Sequence, residues 1–455
     1  MSELAAEVEQ PDITCARLSA EQYARNFSDM HPPLGTTAAL VEADRCYFCY
    51  DAPCTEACPT GIDVPAFINM IKSGNNFGAA RLILQENIVG GSCARVCPTE
   101  TLCEQACVRN DQDQRPVSIG LLQRHAVDAA MAAGRQFFSR AADSGKTVAI
   151  VGAGPAGLSC AHGLARQGHQ VTIFEAREKS GGLNEYGLAK YKMLDNFAAR
   201  EIDYIVAIGG IEIRYGQRLG GDFDLAGLQR QFDAVFLGLG LDAVNRLGLA
   251  GEDADGVISA VDYIAGIRQC ADLAELPVGR RALVVGGGMT AIDIATQVKL
   301  LGAEEVTLVY RRGPEAMPAS EEEREFCQIK GVKIRYNAIP VRIHTTGGHV
   351  SAVEFARSRS AADGSLSNTG DRFSLPADML FTAIGQKFDA SIDPPIAFEH
   401  GRIQVDAEGK TSLAGVWAGG DCIGNGADLT VAAAQDGKLA AKSINAYLQR
   451  NGNED

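Results

Sequence analysis

The chain has 455 residues, 46% of them hydrophobic and 22% charged, and a formal net charge of -15. That length accommodates about three domains with cores of their own, and the acidic balance speaks against a nucleic-acid binder, which needs a basic surface. No run approaches the ~18 apolar residues of a membrane span, and the acidic start from Met1 to Thr14 has no apolar core of a secretory signal, so a cytoplasmic protein is expected.

Residues 1 to about 40 read as an arm of short helical pieces, broken at His31-Pro32-Pro33-Leu34-Gly35. Eight of the thirteen cysteines then form two runs, Cys46-x2-Cys49-x4-Cys54-x3-Cys58-Pro59 and Cys93-x3-Cys97-x5-Cys103-x3-Cys107, with Pro98 after Cys97. A Cys-Pro pair closing short spacings is an iron–sulfur pattern, and in two-cluster ferredoxins the cysteine before the proline serves the other cluster. Two such runs suggest two [4Fe–4S] clusters with ligands exchanged between the runs. Zinc, which usually takes two well-separated cysteine pairs per ion, and a disulfide framework, which needs an oxidising compartment, stay open as alternatives. Val64 to Ile71, Gly78 to Glu86 and Val117 to Ala133, the last carrying Gln123, show helical spacing of apolar residues. No strand stands out before Lys146, so this part is expected to be mostly helical.

At Lys146 the pattern changes. Thr147 to Val151 is a short apolar strand, followed by Gly152-Ala153-Gly154-Pro155-Ala156-Gly157, a helix to about Gln167, and a second strand from Val171 to Glu175. This is a dinucleotide-binding unit: its glycines allow a tight turn and close approach of a pyrophosphate, and the helix N-terminus supplies N–H donors. Glu175 falls where a carboxylate takes the ribose hydroxyls. Gly181-Gly182-Leu183 is a second glycine turn. Far downstream, Gly415 to Asp421 reads as a strand ending in Gly420-Asp421, and Thr430 to Gly437 opens the final helix.

Residues so far apart serve one cofactor only if something is inserted between them. Arg281 to Val285, then Gly286-Gly287-Gly288-Met289-Thr290-Ala291, then Glu305 to Tyr310 form that insert, a second nucleotide-binding unit. It ends in Arg311-Arg312 instead of an acid, which suits the 2′-phosphate of NADP. A solvated surface pair is the plainer alternative. Ala383-Ile384-Gly385 closes another apolar strand as a turn beside the nicotinamide.

On Asp51-Ala52-Pro53-Cys54, Cys97-Pro98-Thr99 and Ile119-Gly120-Leu121-Leu122-Gln123, the chain resembles the family of the glutamate synthase small subunit and the N-terminal half of dihydropyrimidine dehydrogenase, including its bacterial PreT branch. The resemblance implies an α/β chain with an N-terminal all-α domain binding two [4Fe–4S] clusters over 1–143. Two Rossmann-like domains follow: an FAD-binding domain in two pieces, 144–275 and 376–455, interrupted by an NAD(P)-binding domain over 276–375. It implies Cys46, Cys49, Cys54 and Cys107 as ligands of one cluster, and Cys58, Cys97, Cys103 and Gln123 of the other, which leaves Cys93 packed and unligated. For FAD it implies Gly154, Ala156, Glu175, Leu183, Lys192, Asp421 and Thr430, beside Gly152, Gly157, Gly182 and Gly420 of the turns. For the nicotinamide nucleotide it implies Gly287, Gly288, Thr290, Arg311, Arg312, Ala383 and Gly385. Gln123 points to the dihydropyrimidine dehydrogenase branch, since the glutamate synthase subunit tends to carry a glutamate there. Met289 and Ala316-Met317-Pro318 depart from that branch's aspartate and further arginine, so NADH and NADPH both stay open.

The implied chemistry needs no protein acid or base, and no catalytic side chain is expected: a nicotinamide hydride passes to the flavin, which hands single electrons to the clusters. The family's pyrimidine-reducing half carries FMN, further clusters and a catalytic cysteine, and no such barrel is read here. The expectation is an NAD(P)H-oxidising electron-input subunit in a hetro-oligomer, that is, one part of a hetero-oligomeric enzyme. Its PreA-like partner, containing FMN and iron–sulfur clusters, would reduce uracil or thymine to the 5,6-dihydropyrimidine; the glutamine-dependent large subunit of glutamate synthase is the alternative partner.

Overall fold

The computed structural model describes residues 13–361, 364–388, 395–424 and 427–451. They divide into two compact units. One comprises Asp29–Leu188, Lys192–Ala243 and the chain from Gln386 onward, the other the start of the chain to Ser28, Ala189–Tyr191 and Val244–Gly385.

The first unit begins with helices whose starts are written in the sequence. Asp63 caps Val64–Lys72 by accepting the Ala66 N–H at 3.0 Å, with Pro65 in the first turn. Asn75 caps Asn76–Glu86 by accepting the Gly78 N–H at 2.9 Å. Such caps satisfy N–H groups that the helix itself leaves without partners. Ile119–Ala132 buries Ile119, Leu122, Gln123, Ala126, Val127 and Ala130 along one stripe. After Lys146 comes a five-stranded parallel sheet in the order Val416–Ala418, Ala234–Leu237, Thr147–Val151, Gln170–Glu175, Ile211–Tyr215. The helix Pro155–Arg166 packs along the final helix, Thr430–Asn451, where Ser159 Oγ donates to Ala434 O at 2.7 Å.

The helical region and this sheet share one core, in which Phe67, Ile68, Ile83 and Leu122 join Ile150, Phe236, Trp417 and Ile444. Two polar ties cross between them. Lys438 Nζ donates to Thr60 O (2.8 Å), Glu86 O (3.0 Å) and Glu86 Oε2 (2.9 Å). Glu201, on the helix Phe197–Val206, accepts the Gly91 N–H at 2.8 Å, the Ser92 N–H at 3.0 Å and the Ser92 hydroxyl.

Burial raises the Glu201 carboxyl from an ordinary 4.5 to about 7, against the lowering pull of Ser92, Arg95 and Gly91. A raised pKa means that the folded chain holds this proton more tightly than the unfolded chain. The contribution is therefore complete below pH ~4.5 and is lost as pH rises through about 7. At about 1.4 kcal/mol per pH unit the loss is roughly 3 kcal/mol. Glu201→Gln keeps an oxygen for the two N–H donors and removes the titration. Its melting temperature is expected to decline less than that of the parent between pH 5 and 8, and parallel profiles would contradict this account.

The second unit holds another five-stranded parallel sheet, in the order Lys333–Arg335, Glu305–Val309, Arg281–Gly286, Met379–Ala383, Val257–Ser259. Beside it lies an antiparallel three-stranded sheet, Ala338–Thr346, His349–Ser360 and Leu366–Pro376, closed over Val353, Phe355 and Leu380. Two features differ from the sequence expectation. Residues 13–28 of the arm go with this unit, and from Asp29 on the arm belongs to the first unit: Ile13–Thr14 pairs with Val278–Gly279, and Asn26 Nδ2 donates to Leu300 O at 2.9 Å. The unit also runs wider than 276–375, because the sheet recruits Val257–Ser259 and Met379–Ala383 as its outer and inner partners. Among the described residues no helix is long and apolar enough to cross a membrane.

Candidate iron–sulfur and nucleotide sites

Cys46, Cys49, Cys54 and Cys107 line one pocket in the helical region, walled by Pro53, Val64, Pro65, Ile68, Val117 and Ile119. The helix Pro53–Glu56 presents Cys54, the helix Val64–Lys72 forms the apolar wall, and the chain after Cys103 brings Cys107 back from 61 residues away in sequence to Cys46. Burial is the largest influence on Cys54, raising its thiol to about 12, and neighbouring Cys46 and Cys107 add to it; burial likewise raises Cys46. Four thiolates so close together in an apolar setting repel one another, and a cationic core offsets that repulsion by holding each sulfur deprotonated. The donor set fits an iron–sulfur core, which binds each thiolate through its own iron and so needs sulfurs ringing a space.

The three cysteines of the second predicted group are close enough to influence one another, whereas Gln123 is tied to Gly90 and is not shown beside them. Cys97 is influenced by Cys93, Cys103 and Cys58, and Cys103 by Cys58 and Cys54. Cys97 is raised first by its hydrogen bond with Cys93 and then by burial, Cys103 first by burial and then by Glu104. Thr60 Oγ1 lies 3.3 Å from Cys58 Sγ, and Asn87 Nδ2 donates to Cys93 Sγ at 3.2 Å. Gln123 is buried, and its Nε2 donates to Gly90 O at 2.6 Å, which leaves Oε1 as the atom able to ligate. Cys93, buried and bonded to both Asn87 and Cys97, lies within this group in space although the sequence set it aside.

In the same unit the dinucleotide turn is built by close backbone approach. Gly152 has φ +100°, and a Cβ there would stand 2.2 Å from Gly238 O. A Cβ on Gly182 would stand 2.9 Å from Gly154 Cα, so the two predicted glycine turns face each other. That slot leads to the start of the helix Pro155–Arg166, where N–H groups and the helix dipole favour a pyrophosphate. Gly420 reaches the same place, since its added Cβ would meet Ala156 Cβ at 3.1 Å. Glu175 closes its strand with Oε2 accepting the Ala153 N–H at 2.8 Å and Oε1 the Arg177 N–H at 2.9 Å. Thr430 Oγ1 contacts Asn184 Oδ1 at 2.9 Å beside Leu183, and Lys192 is buried.

Burial first, and then Asp428 and Asp436, raise the Asp421 carboxyl to about 6, with Arg402 opposing. Two neighbouring residues that the sequence does not single out lie on the final helix: Asp436 accepts the Gly420 N–H at 2.9 Å, and Gln435 Oε1 is buried with no partner among the described residues. A buried acceptor without a protein partner is a group that a bound cofactor or an ordered water satisfies. The only sequence signal was their crowding into the first turns of a helix already assigned to the cofactor.

In the other unit, Gly286 pairs in register with Ala383, and a Cβ on Gly286 would stand 2.3 Å from Ala383 O. Gly287 lies against the Tyr310 ring, whereas the face of Gly288 is open and begins the helix Met289–Leu300, which carries Thr290. Gly385 O accepts the Asn245 N–H at 3.0 Å. Arg311 and Arg312 follow Tyr310, their carbonyls taken by Ser358 Oγ (2.7 Å) and the Asn337 N–H (3.0 Å). Among the described residues neither guanidinium forms an ion pair. The structure thus brings the predicted turn residues together, with the arginines at the end of the second strand.

Residues 23–135 match the model described as dihydropyrimidine dehydrogenase domain II, 4Fe-4S cluster, and residues 146–437 match pyridine nucleotide-disulphide oxidoreductase. The chain is 34% identical over 453 residues to the glutamate synthase [NADPH] small chain of Escherichia coli, covering 93% of this chain and 94% of that one. It is also 34% identical over 426 residues to the NAD-dependent dihydropyrimidine dehydrogenase subunit PreT of Salmonella typhimurium, covering 93% and 98%. Among solved structures it is similar in fold to Mycobacterium tuberculosis FprA in complex with NADPH, with a TM-score of 0.58 and 19% identity over 68% of this chain and 86% of that one. The chain belongs to the glutamate synthase small-subunit-like flavoproteins, NAD(P)-dependent oxidoreductases in which the iron–sulfur domain of dihydropyrimidine dehydrogenase precedes a pyridine nucleotide-disulphide oxidoreductase fold.

Proposed function

We propose that the chain is the electron-input subunit of a dihydropyrimidine dehydrogenase, passing electrons from NAD(P)H through FAD and two [4Fe–4S] clusters to a partner that reduces uracil or thymine. Bound FAD would accept the hydride pair and release single electrons, which the clusters carry onward. The chain's own part is to hold and to exclude water. Cys46, Cys49, Cys54 and Cys107 would hold one cluster in the apolar pocket, and Cys58, Cys97, Cys103 and Gln123 the other. The facing turns at Gly154 and Gly182, with Glu175, Asp421 and Thr430, would hold FAD.

The observation that carries the choice of branch is Gln123, buried with its Nε2 engaged and its Oε1 left over. A neutral amide ligand in place of a thiolate removes one negative charge and should shift that cluster's potential upward. The equal identity to a glutamate synthase small chain keeps a second reading, in which the partner is a glutamine-dependent large subunit. Anaerobic NADH and NADPH oxidation by the reconstituted complex separates them. Dependence on uracil supports the first, and dependence on glutamine with 2-oxoglutarate moves the chain to the second.

Arg311 and Arg312, which form no ion pair among the described residues although Arg312 Nη2 donates to Gly364 O at 3.5 Å, favour NADPH as the donor. Arg311→Ala with Arg312→Ala is expected to raise the KM for NADPH about tenfold or more and to leave that for NADH within about twofold, since only NADPH presents a phosphate to pair. Equal effects on both nucleotides would mark the pair as solvated surface.

A further inference from the structure

Outside the cluster pocket, and sharing a wall with it, runs an open groove lined by Phe48, Tyr50, Asp51, Glu56 and Asp63. Cys49 and Pro65 line both the groove and the pocket. The sulfur ligand proposed for the first cluster is therefore the thin partition between that cluster and the outside. Tyr50 stands wholly clear of the protein at 106% relative exposure, the most exposed large apolar side chain described. Asp51, Glu56 and Asp63 are all exposed, and among the described residues no lysine or arginine lines the groove. Lys72, which lies over the Phe48 ring, is paired with Asp44 at 2.6 Å, and Arg109 lies over Tyr47 on the pocket side.

An exposed aromatic ring flanked by carboxylates that form no ion pair among the described residues is unusual on a surface that has no partner. Aromatic side chains anchor interfaces, and one-sign charge around them steers the approach of a partner of opposite sign. Redox encounters are small interfaces that rely on such steering. We propose that this groove is the electron exit, and that it receives a one-electron acceptor protein through a lysine- or arginine-rich face, with Tyr50 as the anchor and Cys49 as the point of departure. The inference rests on the proposed function, since it takes Cys49 as a ligand of a [4Fe–4S] cluster. One electron leaves the reduced cluster and reduces one acceptor, so two acceptor molecules are reduced for each NADPH oxidised; no bond to the protein forms or breaks.

The test uses the full holoprotein, anaerobically, with mammalian cytochrome c as a basic one-electron probe. Asp51→Asn with Glu56→Gln removes two charges and spares Asp63, which caps a helix. Its kcat/KM for cytochrome c at low salt is expected to fall about tenfold, and the steep decline with ionic strength expected of the parent to flatten. Tyr50→Ser is expected to weaken cytochrome c reduction at every ionic strength, and Asp51→Glu with Glu56→Asp to preserve it. Reduction of a small neutral dye and the EPR signals of the reduced clusters should be unchanged in all three, which reports that the variants are folded and loaded. An unaltered rate and salt slope in the charge-neutral variant overturns the inference. If the parent itself shows no cluster EPR signal on reduction, the proposed function fails first and the exit site with it.

Discussion

Cys54→Ser is expected to halve the iron in the purified protein, from about eight to about four atoms per chain, and to abolish electron delivery beyond the flavin. The Cys54 thiol is raised to about 12 by burial and by Cys46 and Cys107, so the pocket disfavours charge there unless a cation is bound. A serine hydroxyl ionises still less readily and cannot supply the missing thiolate. Reduction of a partner or protein acceptor should fall at least ~100-fold, while NADPH-driven reduction of a small dye, which needs only the flavin, should stay within about twofold. Cys93→Ser is the companion measurement. It removes a sulfur that neighbours Cys97 without, on the proposed assignment, removing a ligand, so iron content should hold. If Cys93→Ser loses as much iron as Cys54→Ser and Gln123→Ala loses none, the ligand assignment of the second cluster is wrong.

Gly437→Ala is expected to cost roughly 1–3 kcal/mol and to weaken FAD retention, although it adds a single methyl group to a helix. At this position a Cβ would stand 2.1 Å from Ala156 O and 2.9 Å from the Cys160 N, both backbone atoms of the facing helix. Backbone cannot swing aside as a side chain can, so the two helices must separate. Their separation opens the slot between Ala156 and Gly420, where the cofactor would lie. Gly266→Ala makes the contrast. It lies exposed in the helix Ala260–Gln269 with nothing within 4 Å of its added Cβ, and should stabilise by about 0.5–1 kcal/mol through the lower entropy of the unfolded chain. Thermal unfolding and the flavin-to-protein ratio after gel filtration read both variants. Equal behaviour of the two would show that helix packing is not what Gly437 serves.

Much of the fold is legible in the sequence. Thr147–Val151 was read to the residue, and the helices at Val64, Asn76 and Ile119 within a turn, because apolar periodicity and caps are local signals. The antiparallel strands from Ala338 to Pro376 were not anticipated. Their half-exposed faces alternate weakly, and the bulges between Pro340 and Arg342 and between Ala356 and Ser358 interrupt the period. Ile13–Thr14 was invisible for a different reason: two residues carry no period, and their pairing with Val278–Gly279 depends on a partner more than 260 residues away.

The sequence by itself determined which chemistry the chain can host, since cysteine spacing, glycine turns and Arg311-Arg312 are short motifs whose meaning lies in a few bonds. Tertiary structure alone decided how those motifs combine. It brought Cys107 to Cys46, joined the iron–sulfur helices to the sheet from Thr147 through a shared core, and set the buried Glu201 and the half-buried Lys438 as the ties between them. It also left Tyr50 and its carboxylates outside the wall at Cys49. Burial and proximity between distant segments set those features, and neither quantity is carried by any single stretch of the chain.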